Sequence, residues 1–87
     1  MNEKVVFEML FEKFDERQLI VAIEELSELQ KELCKYLRGN GNEEHIIEEL
    51  ADVGIMLKQI IAYFNLSEGE VKKKMEEKLK RTVERLL

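Results

Sequence analysis

Apolar residues recur along this chain at helical spacing and divide it into four segments. In the first segment, about Glu3 to Lys13, three aromatic residues stand at i, i+4 and i+7, namely Phe7, Phe11 and Phe14. That spacing places side chains on one face of a helix. We therefore predict a first helix whose aromatic face belongs to the core.

The second segment predicts a long helix from about Asp15 to Leu37. Asp15 followed by Gln18 resembles a capping box, in which the carboxylate accepts a free backbone N–H at the helix start. The apolar stripe that we expect to face the core consists of Leu19, Ala22, Ile23, Leu26, Leu29, Leu33 and Leu37. Such a helix has about 23 residues and a length of about 35 Å, whereas a compact chain of this size has a radius of gyration near 12 Å. A helix that overhangs a monomer in this way predicts a homo-oligomer built by helix packing.

Two further helices follow. The run from Arg38 to Asn42 contains Gly39 and Gly41, and glycine and asparagine tolerate the left-handed conformation that ends a helix. Asn42 is then a candidate N-cap for a third helix from Glu43 to Phe64. Its expected inward positions are Ile46, Leu50, Val53, Leu57, Ile60 and Phe64. Ser67 with Glu70 is a second capping box, which starts the last helix near Glu68. We predict one all-α domain spanning residues 1–87, a helical bundle of about four helices.

Composition narrows the class of protein. Nineteen acidic against fourteen basic residues give a net charge of −5, which disfavours a non-specific nucleic-acid binder. No uninterrupted apolar run is longer than that from Leu19 to Ile23, which is far shorter than the roughly 20 residues that span a membrane. No signal peptide is visible, and Cys34 as the single cysteine suits a reducing compartment. We expect a soluble cytoplasmic protein with neither a nucleic-acid nor a membrane partner.

Charge is distributed unevenly. Residues 1–70 hold seven Lys and Arg against sixteen Asp and Glu, a net −9, whereas residues 71–87 hold seven against three, a net +4. Two groups of acids lie at helical spacing, Glu24, Glu25 and Glu28 on the second helix and Glu49 and Asp52 on the third. At about 100° per residue, acids three positions apart lie about 60° apart and their oxygens can converge.

Convergent carboxylates beside an apolar stripe lose hydration and repel each other, so their pKa rises unless a cation compensates. Oxygen ligands without nitrogen or sulfur favour a hard cation, Mg²⁺ or Mn²⁺. Spacing alone leaves open the alternative that these acids only solvate two helix faces.

The acidic residues also form a two-part motif. Glu24-Glu25-Leu26-Ser27-Glu28, twenty intervening residues and then Glu49-Leu50-Ala51-Asp52 resemble the E-E-x-x-E … E-x-x-D signature of the all-α nucleoside triphosphate pyrophosphohydrolases, the MazG-like family. The tail from Lys74 to Leu86 resembles the basic last helix of small members of that family. The resemblance covers about Gln18 to Leu86.

The resemblance implies Mg²⁺-dependent hydrolysis of a nucleoside triphosphate between its α and β phosphates, with Mn²⁺ as a substitute metal. By motif position, the metal ligands would be Glu25, Glu28, Glu49 and Asp52. Glu24 would support catalysis by orienting a ligand or positioning water. Lys78 and Arg81 would contact substrate phosphates, although Lys78 stands where the family often has an asparagine. The family forms both dimers and tetramers, so the resemblance leaves both open, and for this chain we favour a tetramer.

Other interpretations remain. Phosphoribosyl-ATP pyrophosphatases have similar acidic helices, but a Tyr-His pair usually follows the second motif, where this chain has Val53-Gly54-Ile55-Met56. A helical oligomerisation or adaptor module without catalysis would use the same acids only for solvation. A di-iron bundle needs Glu-x-x-His, and His45, the single histidine, has Asn42 three residues before it. We expect His45 to be a surface or capping residue, and Cys34 to be a small core or interface residue.

Overall fold

The computed structural model describes residues 2–87 and confirms the all-α prediction. Four helices follow one another: α1 (Glu3–Phe14), α2 (Arg17–Leu37), α3 (Glu43–Tyr63) and α4 (Glu68–Leu86). Residues 2–87 contain no strand. None of the helices in this range is long and apolar enough to cross a membrane.

Two of the three predicted N-caps are confirmed. The Asn42 side chain accepts a hydrogen bond from the His45 backbone N–H at 3.2 Å, at the start of α3. The Ser67 hydroxyl accepts one from the Glu70 N–H at 3.1 Å, at the start of α4. These caps satisfy N–H groups that have no partner inside the helix.

The predicted capping box at Asp15 is wrong. Asp15 ends α1 instead, with φ at +53° and its backbone N–H donating to the Phe11 carbonyl at 2.9 Å. The N-cap of α2 is Glu16, whose side chain makes no capping hydrogen bond. Because the turn between α1 and α2 is tight, Asp15 ends the first helix and does not cap the second. The second helix therefore starts at Arg17 and is shorter than expected.

Helices α2 and α3 form an antiparallel hairpin joined by residues 38–42. Its register follows from two cross-helix neighbours, Glu25 beside Asp52 and Glu32 beside His45. Helix α1 packs against both, mainly at the end of α3, where the Phe11 and Tyr63 rings have centroids 4.8 Å apart. Of the three aromatic residues predicted for the core, Phe7 is buried, and Phe11 and Phe14 are half-buried.

The expectation that both apolar stripes face the core of a single chain is wrong in part. Ala22 and Val53 are buried, but seven stripe residues are exposed: Ile23, Leu26, Leu33, Leu37, Leu50, Leu57 and Phe64. Cys34 is exposed as well, so it is not a core residue of the single chain. Helix α4 makes no extensive contact with the described parts of the other helices, and none of its residues is buried. One chain has too few elements to cover these surfaces.

Candidate metal site on the hairpin

Three of the predicted metal ligands meet where α2 and α3 run side by side. Glu25 of α2 and Glu49 and Asp52 of α3 each offer a carboxylate oxygen, and these oxygens lie within 4.8 Å of one another. Glu25 and Glu49 are half-buried and Asp52 is exposed. We call this group the carboxylate cluster. Its members come from both halves of the motif, so the hairpin brings together carboxylates that lie more than twenty residues apart in the sequence.

Burial and mutual repulsion raise the pKa of two carboxyl groups in the cluster. Burial raises the pKa of Glu25 above 4.5, and the charges of Asp52, Glu49 and Glu28 raise it further. Burial likewise raises the pKa of Glu49, and the charges of Asp52, Glu28 and Glu32 raise it further. Both directions have the causes expected for carboxylates that converge without a compensating cation.

The donor atoms suit a small divalent cation. One Glu49 carboxylate oxygen, Oε2, is buried and has no hydrogen-bond partner, an arrangement that is costly for a polar atom unless something binds it. Mg²⁺ binds oxygen ligands at about 2.0–2.1 Å and usually keeps several waters. Three carboxylate oxygens within 4.8 Å of one another would therefore have to move closer together to contact one ion, with water filling the remaining positions.

The other predicted site residues lie around the cluster or away from it. Glu28 is not among the three converging carboxylates, but its charge raises the pKa of both Glu25 and Glu49, so it lies close by. Glu24 is exposed on the same helix. Lys78 and Arg81 are exposed on α4, and Lys78 borders a groove that α4 and its preceding loop line. Because α4 makes no extensive contact with the described parts of the other helices, helix packing within one chain does not hold Lys78 and Arg81 against the cluster.

Sequence reasoning missed Glu32. Its side chain is only 9% exposed, with Oε1 paired to Lys35 Nζ at 3.3 Å and Oε2 lying 3.9 Å from His45 Nδ1. Oε2 makes no hydrogen bond. Glu32 stands four residues after Glu28 and seven after Glu25, so helical spacing already placed it on the same face. It extends the row of acids by one turn toward the loop.

Gln59 is a second buried polar residue that the sequence did not single out. Its side chain is buried, the residue being 4% exposed, and its Oε1 has no hydrogen-bond partner. Gln59 lies seven residues after Asp52, hence about 20° around α3 from it. The side of α3 that carries Asp52 therefore also carries the buried side chain of Gln59, about two turns further along the helix.

Comparison of the chain with family models, with curated proteins and with solved structures finds no match. The class that fold and site define is an all-α protein with a carboxylate cluster that could hold a metal ion.

Proposed function

We propose that this chain is a Mg²⁺-dependent nucleoside triphosphate pyrophosphohydrolase that cleaves between the α and β phosphates. The observation that carries the proposal is the convergence of Glu25, Glu49 and Asp52 within 4.8 Å across two helices. These are three of the four ligand positions in the motif that resembles the MazG-like family. The unpartnered Glu49 oxygen adds an acceptor that a cation would satisfy.

The proposed roles follow from charge. Without a cation, this acidic cluster repels a triphosphate. A Mg²⁺ ion held there would attract the phosphates, since Mg²⁺ in proteins is usually bound by one or two carboxylates together with substrate phosphates. Bound there, the ion would withdraw charge from the phosphoryl group and lower the pKa of the attacking water. Glu25, Glu49 and Asp52, with Glu28 beside them, would hold it. Glu24, exposed next to Glu25, would position water at the edge of the site.

The basic last helix supplies the proposed phosphate contacts. Lys78 and Arg81 belong to the stretch with net charge +4, opposite in sign to both the cluster and the substrate. A cytoplasmic location, where thiols stay reduced and nucleoside triphosphates are abundant, suits the single Cys34. All of these proposed roles concern one substrate class, a nucleoside triphosphate. The residues around the cluster would set the preference for base and sugar.

A pyrophosphate-release assay tests the proposal. The purified chain is incubated with each common NTP and dNTP in Mg²⁺, in Mn²⁺ and in EDTA, and both pyrophosphate and the nucleoside monophosphate are quantified. We expect release in Mg²⁺, none in EDTA, and loss of release in Asp52→Asn. Glu44→Gln is the matched control, since Glu44 is an exposed acid of α3 outside the cluster. Absence of turnover with every nucleotide, together with no Mg²⁺-dependent thermal shift, would favour the non-catalytic adaptor.

A further inference from the structure

We propose that the hairpin holds a second cation, a divalent transition ion of the Zn²⁺ type, between Glu32 of α2 and His45 of α3. We call this place the Glu32–His45 site. It lies beyond the carboxylate cluster, toward the loop that joins the two helices, and it differs from the cluster by having a nitrogen ligand. The proposal does not rest on the proposed function, because it concerns an ion that binds without any nucleotide.

The register of the hairpin places the ligands opposite one another. Glu32 lies beside His45, and one turn further from the loop the same antiparallel register sets Glu28 opposite Glu49. Glu28 and Glu32 are four residues apart, as are His45 and Glu49, and side chains four residues apart lie on the same side of a helix. The charges of Glu28 and Glu32 both raise the pKa of Glu49, which agrees with this arrangement. Three carboxylates and one imidazole therefore face each other across the hairpin.

The Glu32 side chain carries the observation that points to a ligand. It is only 9% exposed, and its Oε2 atom is buried without a hydrogen-bond partner, which is costly for a charged group. His45 Nδ1 lies 3.9 Å from this oxygen, beyond the range of about 2.7–3.2 Å for an N–H···O hydrogen bond. The imidazole therefore does not satisfy Oε2 directly, and an ion placed between the oxygen and the nitrogen would.

The gap between these two atoms has nearly the width that a tetrahedral ion requires. Zn²⁺ binds a histidine nitrogen and a carboxylate oxygen at about 2.0–2.2 Å, so two of its ligand atoms lie about 3.3–3.6 Å apart. Glu32 and His45 would have to approach each other by about half an ångström to bind one ion. Glu49 Oε2 is also buried without a partner, and Glu49 lies on the helix side that His45 shares, so its carboxylate can complete the site together with water.

The donor set and the charge favour a different ion from that of the cluster. Imidazole nitrogen suits Zn²⁺ and its transition-metal neighbours, whereas sites made of carboxylates alone suit Mg²⁺. Lys35 Nζ pairs with Glu32 Oε1 at 3.3 Å, and a hydrogen bond of this kind commonly orients a carboxylate that binds a metal through its other oxygen. The charges of Glu28, Glu32, Glu49 and Lys35 add to −2, which a divalent ion with a neutral imidazole neutralises.

The test uses Co²⁺ alone as a paramagnetic probe, added to the full chain in excess Mg²⁺ so that Mg²⁺ competes for the carboxylate cluster. His45 is the only histidine, so its imidazole proton signals are identified in a spectrum of the natural protein. We expect Co²⁺ to shift and broaden these signals, and Zn²⁺, which is diamagnetic, to displace it and restore sharp lines. Imidazole signals that Co²⁺ leaves unchanged would overturn the proposal.

Variants locate the ion by calorimetric titration with Co²⁺. The loss of a partner that only orients a metal ligand costs about 10–100-fold in affinity, so His45→Gln and Glu32→Gln should each weaken Co²⁺ binding on the order of a hundredfold. His45 is 56% exposed, so its replacement does not disturb the packing of the hairpin. His45→Gln should keep the Mg²⁺-dependent thermal shift of the wild type, because the carboxylate cluster remains intact.

Two control variants exclude the other places where Co²⁺ could bind. Asp52→Asn removes a carboxylate of the cluster, and Cys34→Ser removes the exposed thiol. Both should keep the wild-type affinity for Co²⁺. Loss of binding in either control, or unchanged binding in His45→Gln, would place the ion in the cluster or on the thiol and overturn the proposal.

Discussion

Replacing Glu49 by Gln tests whether the carboxylate cluster binds a cation. The substitution preserves side-chain size and removes one of three charges whose oxygens lie within 4.8 Å. In EDTA, the loss of this charge relieves repulsion with Glu25 and Asp52, so we expect the variant to be at least as stable as the wild type. In Mg²⁺ the order should reverse, because the wild type then gains a bound ion.

The size of the reversal follows from binding linkage. A ligand at a hundred times its Kd stabilises the folded state by about 2.7 kcal/mol, which corresponds to on the order of 10 °C in Tm for a domain of this size. Loss of one charged ligand among the three that converge should weaken Mg²⁺ binding about tenfold, or about 1.4 kcal/mol. At the same Mg²⁺ concentration, the variant should therefore show about half of the wild-type thermal shift.

The assay is thermal unfolding monitored by circular dichroism across a Mg²⁺ titration, with EDTA as the reference. Glu44→Gln is the control for loss of an acid on the same helix outside the cluster. Equal Mg²⁺ shifts in wild type, variant and control would mean that the ion acts on overall charge and not at this site. A variant less stable than wild type in EDTA would mean that the Glu49 carboxylate has a structural partner.

Three further predictions follow from the same contacts. The pKa of Glu49 is raised above 4.5 in the folded chain, so the folded state binds this proton more tightly than the unfolded state does. Its stabilising contribution is present below pH 4.5 and is lost as pH rises through the raised pKa. In EDTA, the Tm of Glu49→Gln should therefore gain on that of the wild type as pH rises above 4.5, and a difference independent of pH would contradict this. Gln59→Met removes a buried amide oxygen without a partner and should stabilise the fold by about 1–2 kcal/mol in urea titrations; destabilisation would reveal a partner for the amide. Gly54→Ala should weaken self-association, because we expect a helix of another copy to lie close against Gly54, where a Cβ would meet no atom of the same chain within 4 Å. If the mass is unchanged and the better helix propensity of alanine only stabilises the fold by about 1 kcal/mol, nothing packs closely on Gly54.

Local signals in the sequence determined the helices. Asn42 and Ser67 cap α3 and α4 as predicted because a cap depends on a few neighbouring residues. Acids spaced by three, at Glu25 and Glu28 and again at Glu49 and Asp52, had to share a helix side because the helical repeat allows nothing else. Asp15 shows where such signals fail: it satisfied a cap motif, yet the tight turn between α1 and α2 uses it to end the earlier helix.

Tertiary packing decided which side of each helix faces inward. The sequence offered one broad apolar stripe on α2, but the rotation of α2 against α3 buries Ala22 and Glu32 and leaves Leu26 and Leu33 exposed. The same rotation brings Glu25 to Asp52 across the hairpin. Periodicity cannot choose this rotation because adjacent positions lie about 100° apart and both edges of a wide stripe are equally apolar. The choice depends on side-chain fit between two helices, which exists only once they are packed together.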